Sequence, residues 1–155
     1  MQGINRMKKE ETLTHLRNAK KAHITWVHRA HALIEGLPVE KEQVPVSCTE
    51  CKFGQWFYGE GQRLNMMPSM DCLKEIETLH FELHDTYMKI FKIYFSDDDR
   101  SFISKLFGTK KKISPMNHDI AKDYYTQLKA TSEKLIAAIE RLERRLFALQ
   151  EGSFV

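Results

Sequence analysis

Three cysteines, four prolines, seven glycines and two tryptophans are all that a chain of 155 residues holds of these types. Each shortage excludes something. So few cysteines cannot form the disulfide framework of a small secreted scaffold. A chain of this length can bury a working core without such staples. Scarce proline and glycine leave room for long unbroken helices, which puts an all-α reading ahead. No run of about eighteen apolar residues occurs, so no membrane-spanning helix and no membrane insertion are expected. The opening segment Met1–Glu11 lacks the apolar core of a secretory signal, and the expected location is cytoplasmic. In that reducing compartment three thiols read better as metal or redox groups than as disulfides.

Charge and motif content exclude more. The net charge of +3 is small and bears mainly on solubility. The basic run Lys110–Lys112 has no interleaved aromatics, so no nucleic-acid partner is assigned to it. No serine–histidine–aspartate arrangement, phosphate loop or nucleotide motif is present, and the chain reads as a non-enzyme.

What the sequence does hold is helical periodicity across one domain, residues 1–155. From about residue 8 to 35, Leu16, Ala19, His23, Trp26 with Val27, Ala30, and Leu33 with Ile34 recur at three- and four-residue steps. Gly36 and Pro38 supply the stop. Residues 37–47 read as a loop. Cys48–Tyr58 reads as a short helix capped by Ser47 or Thr49 and ended by Gly59, Glu60 and Gly61, with Gly54 allowing close approach to a neighbouring helix. Ser69 is the expected cap of a third helix running to about Phe95, with Leu73, Ile76, His80, Leu83 with His84, Tyr87, Ile90 with Phe91, and Tyr94 on its stripe. A short helix through Leu106 and a mobile loop over 107–114 follow. Ser114 before Pro115 opens a final helix, 115–149, whose Leu128, Leu135, Ile139, Leu142, Leu146 and Leu149 form a near-heptad seam. The fold class expected is an all-α four-helix bundle with a short cysteine-bearing helix and a long C-terminal helix. The length of the seam suggests a homodimer.

One thiol and three imidazoles stand out in this frame. His80 and His84 are one turn apart and about 40° apart around their helix, so both can address one ion. His23 lies on the apolar stripe of the first helix, and Cys51 sits near the start of the short one. A tetrahedral zinc ion takes such a set, at about 2.0 Å to nitrogen and 2.3 Å to sulfur. His28 and His31 fall roughly 140° and 80° round the helix from His23, and with His15 and His118 are not expected to be ligands. Trp26, Phe53 and Trp56 are expected to wall the site. Cys48 makes a C-x-x-C with Cys51, a spacing shared by zinc knuckles and redox sites, and its role stays open; Cys72 reads as a small apolar filler.

The pattern His23-x-x-Trp26, then Cys51-x-Phe53-Gly54-x-Trp56, then His80-x-x-x-His84 resembles the chemoreceptor zinc-binding domain, with its motifs inside about residues 10–95. The resemblance implies a bacterial cytoplasmic sensory or regulatory module. It implies a Zn2+ site of three histidines and one cysteine, a dimeric helical bundle, and action on a partner such as a chemoreceptor or a diguanylate cyclase. It also implies redox sensing through the zinc-bound cysteine, and a metal-held thiolate is open to oxidation on chemical grounds. The alternative is a hemerythrin-like bundle binding iron or oxygen. His31-x-x-x-Glu35, His80-x-x-x-His84 and His118-x-x-x-x-Asp123 resemble its pieces, but that reading leaves Cys51 unused and puts His23 and His31 on one helix. A ferritin-like di-iron site would need two Glu-x-x-His pairs, and only Glu77–His80 is present.

Overall fold

Four α-helices and one 3-10 segment account for most of the described chain, and no strand occurs among the described residues. The computed structural model describes residues 8–39, 47–68, 70–95, 113–150, 152 and 154. Helix α1 spans Lys9–Ile34, α2 Lys52–Tyr58, α3 Cys72–Tyr94 and α4 Pro115–Ala148, and the 3-10 segment spans Glu60–Met66.

The helix ends have local causes. Glu10 and Glu11 occupy the first turn of α1, where negative charge complements the helix dipole. At its far end Gly36 takes a φ of 76°, while Leu37 N–H bonds Ala32 O at 2.9 Å and Gly36 N–H bonds Leu33 O at 3.1 Å. This pair of bonds is a Schellman motif and satisfies carbonyls that the last turn would otherwise strand. Helix α4 begins as expected, with Ser114 Oγ accepting from Asn117 N–H at 3.2 Å and Pro115 at its first position.

Side-chain contacts set the topology. Lys9 at the start of α1 donates to the carbonyls of Phe147 and Leu149 at the end of α4, at 2.6 and 2.8 Å. Farther along, Lys20 meets Glu143 at 3.0 Å and His31 stacks on Tyr125. Helix α3 runs the same way against α4: Glu75 pairs with Arg141 at 2.6 Å, and Lys89 lies over the Tyr124 ring. Helices α1 and α3 are therefore parallel to each other and antiparallel to α4. The link between them carries α2 and the 3-10 segment. His23 and His80, each near the middle of its helix, end up at one level of the bundle.

Helix α4 packs most heavily on α3 and next on α1. Its Leu128, Leu135, Ile139, Leu142 and Leu146 are almost wholly buried within the single chain. The seam that suggested self-association thus has its cover inside the chain. Phe154 is also buried in this core. The expected Ser69 cap, the helix through Leu106 and residues 107–112 of the expected loop lie outside the described residues.

Candidate metal centre

Two expectations about the short helix are corrected. Its N-cap is neither Ser47 nor Thr49 but Cys51, whose Sγ accepts from the backbone N–H of Gly54 at 3.2 Å. Ser47 Oγ instead accepts from Thr49 N–H at 3.3 Å within the preceding turn. Serine and threonine are the commoner caps, so propensity pointed to the wrong residue. Gly54 does permit a close approach, but to that turn and not to a neighbouring helix. A Cβ at Gly54 would lie 1.8 Å from the carbonyl oxygen of Cys48. Gly59 ends α2 as expected, but the chain then winds into the 3-10 segment, whose Leu64 is fully buried.

The four expected donors converge. His23, Cys51, His80 and His84 are all buried, and their donor atoms lie within 4.8 Å of one another. Cys51 Sγ is 3.3 Å from His80 Nε2. Neighbouring donors of a tetrahedral zinc shell sit about 3.3–3.7 Å apart, given the bond lengths. That pair already matches, and no other exceeds the range by more than about 1.1 Å.

Hydrogen bonding says which atoms face inward. His23 Nδ1 lies 2.6 Å from the Ala19 carbonyl on its own helix, which can only accept, so Nδ1 carries the proton and Nε2 keeps its lone pair. Such a second bond fixes both tautomer and ring angle of a metal-binding histidine. Both ring nitrogens of His84 and Nδ1 of His80 are buried without a hydrogen-bond partner. Orphaned buried nitrogens are costly, and a cation at the point where the rings meet would satisfy the inward-facing ones. The donor set, with lone pairs not engaged in hydrogen bonds, fits zinc.

Electrostatics agrees. Burial holds His23 down to about 4, against the Ala19 bond, which raises it. Burial pushes His84 down to about 3 and His80 to about 2, with the mutual repulsion of neighbouring imidazoliums adding to each. All three are therefore neutral at pH 7, the form that ligates. Burial pushes the Cys51 thiol up, against the N–H groups of Gly54 and Phe53, which lower it. A divalent cation held by these residues would invert that balance and favour the thiolate.

Aromatic rings close the surroundings. Trp26 meets His84 edge-on at 4.4 Å between centroids, and Phe53 meets His80 at 4.9 Å. Between α1 and α2, however, a groove of about 970 Å³ runs from exposed His15 and Lys52 past Trp26 and Trp56 to His23 and Cys51. The centre is thus walled by buried side chains on the α3 side and bordered by the groove on the α2 side.

The remaining histidines stay apart from this cluster. His15 stacks on Trp56 at 4.9 Å, His28 is exposed, and His31 pairs with Glu35 at 3.5 Å and stacks on Tyr125. His118 is half-buried in the first turn of α4. No second group of three or more metal-binding side chains gathers among the described residues. The hemerythrin-like alternative finds no support in this arrangement. Cys72 is buried as expected, with the Arg145 guanidinium 3.5 Å from its sulfur. Sequence reasoning missed the Ala19 carbonyl and the Gly54 N–H. The C-x-x-G spacing from Cys51 to Gly54, which puts an N3 amide on an N-cap side chain, was the available signal for the second.

The sequence model of the chemoreceptor zinc-binding domain matches residues 23–91. The match opens on His23, includes Cys51, His80 and His84, and leaves α4 and the first half of α1 outside. No curated protein and no solved structure matches the chain significantly. The stretch that holds the four converged donors, residues 23–91, is thus similar to the chemoreceptor zinc-binding domain family.

Proposed function

We propose that the chain is a zinc-binding regulatory module in which His23 Nε2, Cys51 Sγ, His80 and His84 hold Zn2+. The observation that carries this is the cluster of three buried, neutral imidazoles and one thiol within 4.8 Å, with ring nitrogens left unpartnered. Four protein donors fill a tetrahedral shell and leave no position for a reacting water, which favours sensing or structure over hydrolysis. Family likeness supports the finer reading: a cytoplasmic sensory part acting on a chemoreceptor or a diguanylate cyclase, redox-responsive through Cys51. Self-association is proposed on that likeness as well, and no longer on the α4 seam.

Metal loss acts first on α2 in this reading. The helix has seven residues, too few to hold itself together without tertiary support. Its cap is the metal-binding sulfur itself. Helices α1, α3 and α4 share a long apolar core that does not depend on the ion. Hydrogen exchange on zinc-loaded and chelated protein tests this. Deprotection confined to α2 and its preceding turn supports a signal. Uniform loosening of all helices would make zinc a structural staple, and no change would remove the metal from the function. Light scattering at micromolar concentration tests the dimer, and a mass of one chain rejects it.

A further inference from the structure

A second free thiol lies in the neighbourhood of the centre. Cys48 is half-buried, three residues before Cys51. Glu50 and Cys51 both donate their N–H to Ser47 O, at 3.1 and 3.3 Å. These bonds wind residues 47–51 into one helical turn, and positions three apart on such a turn lie on the same side. The Cys48 carbonyl is 3.5 Å from Cys51 Sγ, and its oxygen fills the space that a side chain at Gly54 would take. Cys48 is thereby pinned against the first turn of α2. Side-chain origins about 5–6 Å apart need to approach by only about 1–2 Å to meet disulfide geometry. The other free thiol, Cys72, opens α3 beside Arg145 and has no place in this turn.

Resting on the metal reading above, we propose that Cys48 is the resolving thiol of a peroxide-responsive switch, forming a disulfide with Cys51 and withdrawing it from the metal. The groove between α1 and α2 gives a small hydroperoxide a route to the Cys51 sulfur. The thiolate of Cys51 attacks the terminal oxygen; an S–O bond forms, the O–O bond breaks, and the leaving oxygen is protonated to water or an alcohol. Cys48 sulfur then attacks Cys51 sulfur; the S–S bond forms, the S–O bond breaks, and hydroxide leaves with the Cys48 proton as water. Two thiols have lost two electrons and one peroxide has gained them. Three imidazoles remain, and α2 loses its cap. Without Cys48, the sulfenic acid of Cys51 persists and further peroxide carries it to the irreversible sulfinic acid.

The test uses the full zinc-loaded chain, with hydrogen peroxide as the probe, zinc release read with a chromophoric chelator, and non-reducing peptide mapping. Wild-type protein is expected to release its zinc with a Cys48–Cys51 disulfide, and to regain it after dithiothreitol and fresh zinc. Cys48→Ser and Cys48→Ala are expected to release zinc, to accumulate sulfinic acid at Cys51, and to lose most of the recoverable zinc. Absence of the disulfide from oxidised wild type, its formation with Cys72 instead, or full recovery in both Cys48 variants overturns the proposal. Zinc content before oxidant distinguishes failure of the metal site from failure of the switch. If Cys51→Ser holds zinc as tightly as wild type, the metal assignment fails and the switch falls with it. If zinc needs Cys51 but no disulfide forms, the switch alone is wrong.

Discussion

Replacing Gly54 with alanine tests the coupling between the short helix and the metal centre. In an open helix interior that change would stabilise by about 1 kcal/mol. Here the new methyl carbon would sit 1.8 Å from Cys48 O, 2.9 Å from Cys48 C and 3.2 Å from Thr49 Cα, all backbone atoms. Ordinary contact begins at 3.4 Å, so the turn must retreat by about 1.6 Å. Overpacking of this kind costs about 1–3 kcal/mol, and backbone neighbours put it at the upper end. Net of the propensity gain, a loss of about 2 kcal/mol is expected, or roughly 4–8 °C in Tm for a chain of this size. The retreating turn carries Cys51, so part of the strain falls on zinc binding. If all of it did, affinity would drop about thirtyfold, at 1.4 kcal/mol per tenfold. Thermal unfolding and chelator competition on Gly54→Ala measure both effects. Gly152→Ala, where nothing lies within 4 Å, is the control. A Gly54→Ala protein as stable as wild type, with unchanged zinc affinity, would refute the packing argument.

Three further outcomes follow from the centre. His84→Leu should leave the metal-free protein at least as stable as metal-free wild type in urea, because it removes two orphaned buried nitrogens, while zinc no longer stabilises it; a marked loss of metal-free stability would show that those nitrogens are satisfied. Metal-free protein should lose stability as pH falls from 6.5. Unfolded histidines protonate near that value, whereas folded His23, His84 and His80 hold out to about 4, 3 and 2, so the unfolded state binds more protons across the interval. Urea midpoints at pH 7 and pH 5, above most carboxylate titration, read this, and equal midpoints would contradict it. Alanine variants of His15, His28, His31 and His118 should keep zinc affinity within a few-fold, and loss of metal in any one of them counts against the assignment.

Much of the centre was legible because helical phase is a local property. The three-and-four spacing places His23 with Leu16 and Trp26, and His80 with Leu83 and Tyr87, before any tertiary contact is known. All these residues are buried in the fold. What stayed hidden depends on neighbours distant in space or on backbone atoms without a sequence signature. The Cys48 carbonyl against Gly54 is one case, the Ala19 carbonyl behind His23 another. What covers the α4 seam stayed hidden for the same reason. A near-heptad repeat shows that a face is apolar, not whether α1 and α3 or a second chain will cover it.

The identity of the metal shell is the claim on which the rest depends, and the visible spectrum of cobalt-substituted protein tests it most directly. Three nitrogens and one sulfur should give intense tetrahedral ligand-field bands together with a sulfur-to-cobalt charge-transfer band, and the latter should vanish in Cys51→Ala. Weak octahedral bands without charge transfer, or a Cys51→Ala spectrum identical to wild type, would contradict it.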